Sequence, residues 1–68
     1  MGGRECRLVV RGELGDHLDE EFPGMKLTRV DGRTAIVGIV RDQAELHGHL
    51  RHVATLGLTL LGVTVEGE

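Results

Sequence analysis

The chain is poor in the residues that most often carry chemistry or brace a very small fold. It holds one cysteine (Cys6), one proline (Pro23), one phenylalanine (Phe22), and no tryptophan or tyrosine. A lone cysteine excludes an internal disulfide and a thiolate metal cluster, the usual supports of domains this small. A single aromatic leaves no stacking platform of the kind that RNA-binding sheets use. The formal charge of -3 argues against non-specific nucleic-acid binding. No apolar run approaches the length needed to cross a bilayer, and the first residues lack a signal-peptide h-region, so a cytoplasmic protein is expected. The glycines match neither a P-loop nor a dinucleotide fingerprint, and no cofactor is expected.

What is present is aliphatic. Leu, Ile and Val make up 20 of 68 residues, well above the composition of disorder, and glycines number 11. Surface scaling buries only about 60% of such a chain, enough for one core. Residues 1–68 are therefore read as one domain, with 1–4 and 66–68 as flexible ends.

Alternation marks Cys6 to Arg11 as a strand, with Cys6, Leu8 and Val10 on one side and Arg7, Val9 and Arg11 on the other. A short helix follows, with Asp16 as N-cap and Leu14, Leu18 and Phe22 along one side, stopped by Pro23 and Gly24. Asp31-Gly32 supplies the two positive-φ positions of a type I′ turn between strands 25–30 and 33–41. That register puts Thr28, Val30, Arg33, Ala35, Val37 and Ile39 on one face, and Leu27, Arg29, Thr34, Ile36, Gly38 and Val40 on the other. Asp42 to Leu56 reads as the main helix, with Asp42 as cap, Glu45 completing a capping box and Gly57 as the left-handed stop. Gly48 lies off its apolar arc. Leu58 to Val65 is the last strand; Leu58 and Leu60 are expected on one side, and Leu61, Val63 and Val65 on the other.

The order βαββαβ, with right-handed crossovers, leads to an α+β ferredoxin-like sandwich. It has a four-stranded antiparallel sheet in order 4-1-3-2 and two helices on one face. Several strands offer aliphatics to both sides, so a homodimer through the open sheet face is expected, with a protein partner as a further role. Long arginines lying over the patch are the alternative that keeps a monomer soluble.

Four arginines, Arg7, Arg11, Arg33 and Arg41, are expected to border that open face and are the candidate binding residues for an acidic peptide or small anion. His47, at the edge of the apolar arc of the main helix, is a further candidate, packed against the sheet or a partner. Glu45, His49 and His52 share a helix flank and are the one weak metal-ligand set. With no HExxH spacing and no ligand from a second element, an ordinary solvated flank is the stronger reading and no metal is expected. Cys6 reads as a small buried hydrophobe rather than a reactive thiolate. Asp16, Asp19, Glu20 and Glu21 read as solubilising charges at the positive end of the first helix rather than paired catalytic carboxylates.

The stretch TAIVGIVRDQAELHGHL over residues 34–50, followed by LGLTLLGV over 56–63, resembles a family of small uncharacterised proteins from high-GC Gram-positive bacteria. Their signature is Asp-Gln-Ala-x-Leu-His-Gly-x-Leu and then Leu-Gly-Leu. The resemblance singles out Asp42, Gln43, His47 and Gly48 and implies no activity. The element order is also similar to ACT domains, which bind amino acids between modules, though only at the level of fold. The leading expectation is a non-enzymatic self-associating module that binds a protein partner or serves assembly. An ACT-like metabolite sensor is the alternative. A cofactor-free enzyme with His47 or His49 as base comes last, because so short a chain offers little to wall in a substrate.

Overall fold

A computed structural model describes residues 3–15 and 17–66. Asp31 and Gly32 have φ of 54° and 75°, the left-handed pair that a type I′ turn requires. They join strands β2 (Lys26–Val30) and β3 (Arg33–Val40), whose register pairs Val30 with Arg33 and Leu27 with Ile36. β3 pairs antiparallel with β1 (Arg4–Arg11), and β1 pairs antiparallel with β4 (Leu60–Glu66). The resulting four-stranded sheet runs β2-β3-β1-β4, which is the expected 4-1-3-2 read from the other edge. Arg4 and Glu66, expected in flexible ends, lie within β1 and β4.

Helix α1 (Leu18–Glu21) is only four residues long, and His17 at its N-cap position makes no side-chain cap. Asp16, the expected cap, lies outside the described residues. Leu18 and Phe22 are buried as their spacing suggested, and Leu14 packs against the same cluster. The loop before α1 is held from outside. Thr34 Oγ1 accepts from Leu14 N (3.1 Å) and donates to Gly12 O (2.7 Å), while Arg29 donates to the carbonyls of Leu14 and Gly15.

Helix α2 (Gln43–Thr55) carries the caps its sequence announced. Asp42 Oδ1 accepts from Glu45 N at 2.8 Å. Glu45 reaches back to Arg41 N (2.6 Å), one residue before the partner a capping box would give it. At the other end Gly57 has φ 77°, with Leu58 N donating to Val53 O and Gly57 N to Ala54 O, a Schellman closure.

The core lies between the helices and one sheet face: Cys6, Leu8 and Val10 from β1, Ile36 and Val40 from β3, Leu18 and Phe22 around α1, and Val53 from α2. Gly38 belongs to this face because a Cβ there would come within 2.8 Å of the Met25 side chain.

One expected face assignment is corrected. Pairing shifts between Val9 and Val10, so that Val9 opposes Gly62 while Val10 opposes Leu60. The bulge leaves Leu61 unpaired and resets the alternation. Leu60 therefore shares the helix side with Val63 and Val65 instead of opposing them. The helices do not cover this edge, and Leu60, Leu61, Val63 and Val65 all remain exposed.

Candidate interaction surface

With Cys6, Leu8 and Val10 fully buried under the helices, strand alternation turns Glu5, Arg7, Val9 and Arg11 to the opposite, uncovered side. Register then lays out that face in rows across the sheet. Ile39, Glu5 and Glu66 form one end. Lys26, Val37, Arg7 and Thr64 come next, then Thr28, Ala35, Val9 and Gly62, and Val30, Arg33 and Arg11 close the other end. An apolar strip thus runs through the middle with its ends open: Val30 is 56% exposed and Ile39 61%, while Val9 and Val37 are half-buried. Arg7 and Arg33 line a shallow hollow of about 230 Å³ with Val9, Thr28, Val30, Asp31 and Ala35.

Three of the four candidate arginines therefore stand on the open face, and Arg41 does not. β3 ends at Val40, so Arg41 leaves the sheet as the chain turns into α2. It lines a separate groove of about 330 Å³ with Arg4, Val40, Asp42, Gln43, Leu46 and Val65, on the helix side. The positive end of α2 beside that groove is already met by the carboxylates of Asp42 and Glu45.

His47 is exposed, which removes packing against the sheet and leaves, of the two expected roles, contact with a partner. Glu45, His49 and His52 are each engaged elsewhere. Glu45 closes the N-terminus of α2, and His52 Nε2 lies 2.9 Å from Glu21 Oε1. His52 meets the Phe22 ring edge-on at 5.2 Å between centroids, with His49 at 6.2 Å. The two imidazoles form a roof over the one aromatic residue and tie α2 to α1. Among the described residues no group of three His, Cys, Asp or Glu side chains could hold a metal ion. Cys6 is fully buried, and desolvation pushes its thiol above the ordinary value, which keeps it protonated and unreactive.

Three charged residues of the open face, Glu5, Lys26 and Glu66, were not among the sequence candidates. Glu5 was legible, since it shares the alternation of Arg7 and Arg11. Glu66 was not, because the face of β4 depends on the bulge.

A small α+β sandwich, with its helices over one side of an antiparallel sheet and the other side uncovered, defines the class of protein. A family model described as a domain of unknown function, DUF8691, matches residues 5–64, and the chain belongs to that family. Comparison with curated proteins and with solved structures gives no match. Among the described residues no helix is long and apolar enough to cross a membrane.

Proposed function

We propose that the protein is a non-enzymatic module of the ferredoxin-like type that self-associates through its open sheet face and acts in assembly or in binding a protein partner. The observation that carries this reading is the apolar strip on the uncovered face, from Val30 at 56% exposure through Ala35, Val9 and Val37 to Ile39 at 61%. Aliphatics grouped on a flat surface are removed from water when a second surface covers them. Sedimentation equilibrium in the micromolar range tests it. A dimer that Ile39→Lys dissociates supports the reading, and a monomer at every concentration overturns it.

A second reading follows from the hollow beside Arg7 and Arg33. Closed over by a second copy, it would hold a small anionic metabolite, as an ACT-like sensor does. Saturable thermal stabilisation by amino acids or simple anions supports this version, and a flat response removes it.

A further inference from the structure

The open face is charged asymmetrically. Glu5 and Glu66 are direct cross-strand neighbours at one end, and Arg11 and Arg33 are direct cross-strand neighbours at the other. Like charges directly opposite each other destabilise a sheet, and this face carries two such pairs of opposite sign. None of the four is relieved by an ion pair among the described residues, where the salt bridges are Arg29–Asp19 and His52–Glu21. Arg11 lies six residue steps along β1 from Glu5, a span of roughly 20 Å at the rise of an extended strand.

A surface with an acidic end, a centre of Val37, Ala35 and Val9 flanked by Arg7 and Lys26, and a basic end complements itself when turned end for end. We propose that the partner of this face is a second copy of the chain, stacked with its strands reversed. The Glu5/Glu66 end of each copy then lies over the Arg11/Arg33 end of the other. The inference rests on the self-association reading above and adds its geometry. Two in-plane two-fold axes can stack identical sheets. An axis along the strands sets Arg11 of one copy over Arg33 of the other, basic end on basic end. An axis across the strands sets β1 over β1 and β3 over β3 in opposite directions, pairs both ends with opposite charge, and lays Val37 over Ala35 in the centre. Arg7 and Lys26 stand one row in, where their stems cover aliphatic surface and their heads reach the rim.

The test uses charge reversal at these exposed positions, with circular dichroism as the check on folding. Arg11→Glu with Arg33→Glu makes both ends acidic, and Glu5→Arg with Glu66→Arg makes both ends basic. Each double variant alone is expected to dimerise about tenfold more weakly, or worse, than the wild type. An equimolar mixture of the two is expected to form a one-to-one heterodimer. A chain carrying all four reversals is expected to regain the homodimer, and wild-type dimerisation is expected to weaken with added salt. If both double variants dimerise like wild type while Ile39→Lys dissociates, the open-face reading stands and the reversed stacking is overturned. A salt-independent wild-type dimer overturns the stacking as well, and it does so even where a variant fails to fold. A monomeric wild type overturns both readings.

Discussion

Thr34 is the one fully buried polar side chain among the described residues. Its hydroxyl closes two bonds at once, donating to Gly12 O and accepting from Leu14 N. Valine has the same shape and makes neither bond, so Thr34→Val leaves two loop groups short of a partner. The expected loss is about 1–3 kcal/mol, read as a lower urea midpoint at unchanged m-value. An unchanged midpoint would mean that water replaces the hydroxyl and that the loop is not anchored there. Residue by residue, the sequence was legible where burial follows a period. Cys6, Leu8 and Val10 were placed by alternation alone, and all three are fully buried. Thr34 was placed on the correct face, but its task was hidden. Its partners lie 20 and 22 residues away, in a loop without any period.

Elements with local punctuation were the easiest to foresee. α2 is bounded by Asp42 and Gly57, and the hairpin by Asp31-Gly32, each through a backbone requirement that a few neighbouring residues satisfy. α1 has only its stop, Pro23 and Gly24, and no capping signal at its start among the described residues; a four-residue helix owes its place to Leu18 and Phe22 entering the core. β4 shows the opposite failure. It was expected from Leu58 and begins at Leu60; the bulge at Leu61 moves Leu60 to the side of Val63 and Val65, and nothing local in a run aliphatic on both sides marks where a residue is left over. Gly48 is a position where the element alone gives a prediction. It is exposed inside α2, and a Cβ there meets nothing within 4 Å. Gly48→Ala is therefore expected to stabilise by about 1 kcal/mol, raising Tm by roughly 4–8 °C. If the variant is instead less stable or associates less well, the glycine serves a close approach by another surface, and α2 belongs to an interface.

The whole molecule is small for its exposed area. It presents 4709 Å² to solvent, against roughly 4,200 Å² for a compact monomer of its mass. Aliphatic surface is left open both on the uncovered sheet face, at Val30 and Ile39, and along the edge at β4, where Val63 and Val65 point toward the helix layer and are still 42% and 38% exposed. That both sides would be aliphatic was legible from Val9, Ile36, Val37, Ile39 and Val40. That the open side would also carry a basic end and an acidic end required the register, because only pairing brings Glu66 beside Glu5. A single cysteine rules out the internal disulfide by which such small domains often offset a thin core. If the second copy supplies the missing burial, folding and association are linked, and thermal stability depends on protein concentration. For a dimer unfolding directly to two chains, each tenfold rise in concentration adds about 1.4 kcal/mol per dimer. Unfolding entropy near 2.1 cal/mol/K per residue, over two chains, converts this to a Tm increase of about 5 °C per tenfold. Calorimetry across two decades of concentration measures it directly, and Ile39→Lys is expected to flatten the dependence. A Tm independent of concentration in the wild type would show that the monomer folds without help, and the area on its open face would then be left for a partner other than itself.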